Sequence, residues 1–174
     1  MTESRRVTTA RLQLDPIAPT DLSALFPIFN DAAGWWYDPA SRHLDVEQSN
    51  SWIRRAAQRW STDGLSYWTV RLIDVEDVIG VGGVQRHATG TWNLYYRLAA
   101  SHWGRGYAAE LARTALTTAH TVDDRVPVIA WIAKHNNPSR HVAERIGLQN
   151  QGLRIDTNDG RHRLAYADRE VLPA

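Results

Sequence analysis

Residues 92–111, WNLYYRLAASHWGRGYAAEL, hold the reading that decides the fold. The first part, WNLYYRLAA, is rich in residues that favour a pleated, half-buried surface and reads as a strand. From Gly106 onward, GYAAELARTALTTAH is rich in alanine and leucine and reads as the clearest helix in the chain. Between them, Gly104 and Gly106 flank Arg105. The first backbone N–H groups of a helix have no partner within it, and the macrodipole adds partial positive charge there. Glycine lets the backbone take positive φ and approach a ligand closely. The turn therefore reads either as a cradle for phosphate or as a tight turn with packed glycines. It matches neither G-x-x-x-x-G-K-[ST] nor G-x-G-x-x-G, so triphosphate and dinucleotide sites are poorly supported.

Outward from this point the elements alternate. ARLQLDPI has the apolar–polar alternation of a half-buried strand. PTDLSALFPIFNDA reads as a helix with Thr20 or Asp21 as cap. DVEQSNSWIRRAAQRW starts on a capping-box pair, Asp45 and Gln48, and places Trp52, Ile53, Ala56 and Trp60 on its buried face. SYWTVRLID, VIGVGGVQRH and TWNLYYRLA read as an antiparallel meander, with Thr89-Gly90 at a turn. VPVIAWIAKH is a near-continuous apolar run, as in a strand covered on both faces. NNPSRHVAERIG reads as a short helix with Asn137 as cap, Pro138 at its first position and Gly147 at its end. A closing hairpin turns around Asn158-Asp159-Gly160. The prediction is one α/β domain over residues 1–174, a mixed sheet of about seven strands with about four helices, and a strand–helix–strand crossover from 91 to 134.

Composition narrows the chemistry. A chain of 174 residues with 43% hydrophobic and 22% charged residues can bury a core without staples. With no cysteine there is no disulfide, thiolate nucleophile or cysteine-ligated metal, and no metal site is expected. A net charge of +1 gives no electrostatic reason to bind nucleic acid. No signal-peptide core is visible, and no apolar run approaches the ~18 residues of a membrane span. The expectation is a cytoplasmic protein without membrane or nucleic-acid partners, monomeric or homodimeric.

YYRLAASHWGRGYAAELA, followed about thirty residues later by NNPSRHVAERIGLQNQG, resembles the GNAT superfamily of acyl-CoA-dependent N-acetyltransferases. More narrowly it is similar to the branch that acetylates N-terminal amines of ribosomal proteins, whose turn commonly reads W-G-K-G-Y-A-x-E. The opening TARLQLDPIAPTDLSALFPIFND fits that branch's T-x-R-L-x-L-x-P start. The resemblance implies the GNAT fold and acetyl-CoA as co-substrate, with the pyrophosphate of coenzyme A on the turn Trp103, Gly104, Arg105, Gly106, Tyr107 and Ala108. In the family's Q/R-x-x-G-x-G/A pattern, Trp103 takes the first position, Gly106 the first glycine and Ala108 the final small residue. Leu98 and Ala99 fall on the strand that pairs with the pantetheine arm, and Ala100 stands where many members have proline. Asn136 and Ser139 match N-x-x-S near the thioester. Ala143 occupies the position where the family often has a tyrosine as general acid.

Acetyl transfer needs a neutral amine, whose pKa in water is ~10 for a lysine-like group and ~8 for an α-amine. It also needs donors for the developing oxyanion, one of which is worth roughly 3 kcal/mol. By the resemblance, backbone N–H groups of strand 91–99 supply these donors. Ser139 is the candidate for the departing sulfur, or else a residue that only supports its helix. Asn93 stands where many relatives have a glutamate base, and it can orient a water or the acceptor. His87, read as a solvated turn residue, and His43 both titrate in the right range. Trp35, Trp36, Tyr37 and His43 border the acceptor funnel in this reading, with the aromatics either walling a pocket or capping the core. Asp38, Asp156 and Asp159 are candidates for attracting a cationic amine, and Glu110 complements the helix dipole. The reaction implied is transfer of acetyl to a primary amine, a protein N-terminus or a small molecule, by direct attack. A non-catalytic acyl-CoA-binding module on the same fold is the alternative.

Overall fold

The computed structural model describes residues 5–171 except 76, 88 and 157. Within them, eight strands form one sheet in the order β1-β2-β3-β4-β5-β6-β8-β7. They are β1 (Val7–Thr8), β2 (Leu12–Pro16), β3 (Tyr67–Leu72), β4 (Val78–Arg86), β5 (Trp92–Leu98), β6 (Val128–Ile132), β7 (Gln149–Ile155) and β8 (His162–Ala167). The strand beyond the expected number is β1, whose Val7 and Thr8 pair with Leu14 and Gln13 of β2. Four α-helices accompany the sheet: α1 (Leu22–Asn30), α2 (Val46–Thr62), α3 (Tyr107–Asp123) and α4 (Asn137–Arg145).

Every pairing is antiparallel except β5 with β6. A parallel pair needs a crossover, and α3 provides it over one face. That helix sits close because β4 offers no side chain at Gly82. A Cβ there would lie 2.7 Å from both the Leu111 side chain and the Tyr96 Cβ. The two faces of β5 are therefore distinct. Tyr96 points with Leu111 toward α3, while Arg97 meets Gly34 and Trp35 beyond the end of α1.

Helix starts follow the capping rules with two shifts. Asp45 accepts from the Gln48 N–H at 2.9 Å and Gln48 reaches back, so α2 opens as expected. Asp21 stands at the cap of α1, but its carboxylate holds the Ala18 N–H, Thr69 and Arg71 instead of the helix. The cap of α4 is Asn136, one residue earlier than the pattern suggested, and Pro138 falls in the second position. The core is dominated by wholly buried Trp68, Trp92 and Tyr166. No helix among the described residues is long and apolar enough to cross a membrane.

Candidate active site

The site begins where the sheet forks. β5 and β6 pair only at Trp92 with Val128 and Asn93 with Ile129. Beyond those pairs β5 has a strand on one side only. The Trp92 N–H reaches Pro127 toward β6, whereas the Ala99 N–H reaches Ile79 on the β4 side at 2.8 Å. Backbone groups alternate in direction along a strand, so the N–H groups of Tyr96 and Leu98 face the fork. Ala99, expected beside Leu98 on the cofactor strand, turns its N–H the other way. The Leu98 carbonyl accepts from the Trp103 indole at 2.9 Å.

A cavity of about 320 Å³ occupies this fork at the start of α3. Leu98, Trp103, Gly104, Gly106, Tyr107 and Ala108 line it, and α4 adds His141 and Arg145. Gly106 caps α3 at φ 81° and Gly104 has φ 73°, both in the left-handed region. Glycine alone takes that geometry without strain, and it leaves the first N–H groups of α3 unshielded. The Arg105 side chain does not line the cavity; its carbonyl accepts from Arg11 Nη1 at 2.8 Å. The same Arg11 is gripped by Glu110, at 2.9 Å through its N–H and 2.7 Å through Nε. Glu110 thus ties the turn to the β1–β2 connection, a role beyond the helix dipole. These features fit coenzyme A: positive-φ glycines, a free helix start and cationic groups at the rim suit a diphosphate.

A second cavity, of about 660 Å³, lies on the α1–α2 side. Trp35, Tyr37, His43, Trp52, Tyr67, Asn93 and Tyr95 line its aromatic interior. Trp52 stacks on Tyr67 with ring centres 5.4 Å apart. Its mouth is a charge network. Arg161 reaches Asp38 at 2.7 Å, and Arg163 bridges Asp156 and Asp159 at 2.6 Å each. The three aspartates named from sequence stand at this cavity, each engaged by an arginine. Asp156 also holds His87 Nε2 at 3.1 Å. His87 is buried there beneath the closing hairpin, not solvated in its turn.

Both cavities reach Tyr37, Tyr96, Asn136, Ser139 and Val142. The first turn of α4 is thus their meeting point. Buried Asn136 caps that turn, its Oδ1 accepting from the Ser139 N–H at 3.3 Å, so the Ser139 backbone is held at the junction. Ala143 one turn later is buried but lines the larger cavity.

The structure divides the aromatic loop. Trp35 is 7% exposed and donates its indole N–H to the Phe29 carbonyl at 2.6 Å. Its ring lies under Arg97 at the rear wall of the larger cavity. Trp36 lies instead on the smaller cavity, edge-on to His135, which contacts the Tyr37 carbonyl at 2.9 Å. Tyr37 borders both. His43 stacks on Phe29 and contacts Ser49 Oγ through Nδ1 at 2.8 Å. Burial, then Arg97 and Arg55, push its pKa below 6.5, so the imidazole is neutral near pH 7. Asn93 and Tyr67 line the same wall of the larger cavity, and burial raises the Tyr67 phenol well above its usual range.

Tyr96, Arg97, Tyr95, His141 and Arg145 had no place in the sequence reading. Strand alternation contained a signal, because Tyr95 and Arg97 must share one face of β5 and Tyr96 the other. Burial pushes the Tyr96 phenol up to about 12, with the Ser139 hydroxyl pulling it partly back.

A family model described as an acetyltransferase (GNAT) domain matches residues 11–149. Uncharacterized protein YkkB of Bacillus subtilis is 27% identical over 152 residues, 85% of this chain and 87% of that protein. An acetyltransferase crystal structure from Agrobacterium tumefaciens superposes with a TM-score of 0.79 at 24% identity, over 95% of this chain and 94% of that one. The RimL ribosomal L7/L12 alpha-N-protein acetyltransferase, solved in complex with coenzyme A, superposes at 0.71 with 16% identity, covering 92% and 95%. With one family model spanning most of its length and the same fold in these structures, the chain belongs to the GNAT family of acetyltransferases.

Proposed function

We propose that this protein transfers acetyl from acetyl-CoA to a primary amine, a protein N-terminus or a small molecule, by direct attack in a ternary complex. One observation carries the reading: two cavities on opposite sides of the sheet fork meet at the first turn of α4, where both reach Asn136 and Ser139. The smaller holds a helix start with positive-φ glycines, suited to a diphosphate, as the coenzyme A complex of RimL also suggests. The larger is aromatic inside, with three arginine-paired aspartates at its mouth, and its aromatic faces suit an amine.

Bound acetyl-CoA supplies the acyl thioester; the chain does the rest. Gly104, Gly106, Tyr107 and Ala108 hold the diphosphate, with Arg145 at the rim. The N–H groups of Leu98 and Tyr96 face the fork, where they pair with the pantetheine arm and steady a developing oxyanion. Asn93 orients the incoming amine from the wall shared with Tyr67. His43, kept neutral by burial and nearby arginines, accepts the proton that the amine loses. Ser139 hydrogen-bonds the departing sulfur.

Two measurements test this. Saturating acetyl-CoA should raise the melting temperature by several degrees, since a ligand at ~100 times its Kd adds about 2.7 kcal/mol. Free thiol should then appear in the presence of some amine from a panel of N-terminal peptides, polyamines, amino acids and aminoglycosides. No melting shift at millimolar acetyl-CoA would remove the cofactor reading. A shift with no thiol release for any amine would leave a binding module.

A further inference from the structure

When acetyl leaves coenzyme A, the sulfur departs with the bonding electron pair and needs a proton. Five residues border both cavities, and so border the place where the thioester must lie: Tyr37, Tyr96, Asn136, Ser139 and Val142. Val142 has nothing to give. Asn136 caps α4, and a carboxamide is no acid. The Tyr37 oxygen accepts from Arg97 Nη2 at 2.8 Å on the α1–α2 face of β5. An alcohol such as Ser139 is too weak an acid to act alone, although it passes on a proton well. Tyr96 remains. It projects from β5 toward α3 and α4, on the cofactor face of the fork.

We propose that Tyr96 is the proton donor to the departing sulfur, its phenol acting beside the Ser139 hydroxyl at the junction of the two cavities. The proposal rests on the acetyl-transfer reading above. The amine nitrogen forms a bond to the acyl carbon, the carbon–sulfur bond breaks with its electrons on sulfur, and the Tyr96 proton passes to that sulfur. The phenolate left behind is reprotonated from solvent, which receives the proton shed by the amine through His43, so atoms and charge balance. A phenol raised to about 12 holds its proton throughout the working pH range. The burial that raises it also raises the proton affinity of a thiolate beside it, so donor and acceptor stay matched.

The experiment compares Tyr96→Phe with wild type on two donors, acetyl-CoA and phenyl thioacetate, whose acidic thiol leaves without help. Rates are read as acetylated amine. Loss of a general acid should lower kcat on acetyl-CoA by roughly 100-fold or more, while the rate on the aryl thioester stays close to wild type. Acetyl-CoA affinity and melting temperature should change little. Equal losses on both donors would make Tyr96 a packing residue, and an unchanged kcat on acetyl-CoA would remove it from the chemistry; either overturns the proposal. If the variant does not fold, wild type still decides. A normal solvent deuterium isotope effect with acetyl-CoA that disappears with the aryl thioester is expected, and equal effects on the two donors would overturn the assignment. Failure of the acetyl-transfer reading looks different, because wild type itself would then release no coenzyme A.

Discussion

The guanidinium carbon of Arg97 lies 3.3 Å from the ring centre of Trp35. Its nitrogens reach the Gly34 carbonyl and the hydroxyls of Tyr37 and Tyr95, the last at 3.2 Å. These partners are all neutral, so a buried cation holds the α1–α2 loop against the central strand through an aromatic face and three oxygens. Its field extends into the larger cavity, where it helps to lower the pKa of His43.

That field is measurable. Burial is the larger cause of the His43 shift and Arg97 the next, so Arg97→Met should move the imidazole pKa upward while leaving it below 6.5. Because the folded pKa is depressed, the unfolded chain binds this proton more readily. His43 therefore contributes to stability lost as pH falls from 6.5 through its folded value, and the variant should narrow that window. NMR titration of the imidazole in both proteins decides the point. An identical pKa in the variant would show that Arg97 does not reach the cavity.

Gly106→Glu should abolish the melting shift produced by acetyl-CoA. A side chain at φ 81° is strained by about 1–2 kcal/mol, which alone lowers the melting temperature by only a few degrees. The added carboxylate opposes a diphosphate at the unshielded helix start. Calorimetric titration with acetyl-CoA on the folded variant is the check. Near-wild-type affinity would place the diphosphate elsewhere.

Much of this was open to sequence reading because local rules govern it. The glycine turn, the capping box of α2 and the crossover from β5 to β6 each follow from residues adjacent in the chain. What could not be read depends on long-range placement. His87 looked like an exposed turn residue, yet Asp156, 69 positions later, buries it under the closing hairpin. Trp35 and Trp36 look equivalent in sequence, but the short 3-10 turn at Ala32–Trp35 sends one ring under Arg97 and the other to the smaller cavity. Tyr96 gains meaning only because α4, more than forty residues on, sets Ser139 on the same junction.

Asn136 links stability to the site. Asn136→Ala removes the cap of α4 and should cost about 1 kcal/mol, a drop of roughly 2–4 °C. It should also lower kcat, because Ser139 loses the bond that fixes its backbone. Asn136→Asp keeps an oxygen acceptor at the cap and should recover most of the melting temperature. If Asn136→Ala melts like wild type, the cap contributes nothing and the position of Ser139 needs another cause.

The two tryptophans of the aromatic loop offer the sharpest contrast. Trp36 is 46% exposed and borders the smaller cavity, so Trp36→Ala should weaken acetyl-CoA binding and leave the acceptor KM nearly unchanged. Covering an aromatic ring with ligand is worth up to ~2 kcal/mol, or about thirtyfold in affinity; a half-exposed ring that also touches His135 should give less, about fivefold to tenfold. The melting temperature without ligand should barely move. Trp35 is buried beneath Arg97, and Trp35→Ala should instead cost about 3–5 kcal/mol through the cavity it leaves and the cation it uncovers. Melting temperature, acetyl-CoA affinity and acceptor KM on both variants separate the roles. If Trp36→Ala raised the acceptor KM while acetyl-CoA affinity held, the loop would serve the amine and its placement on the cofactor side would carry no function.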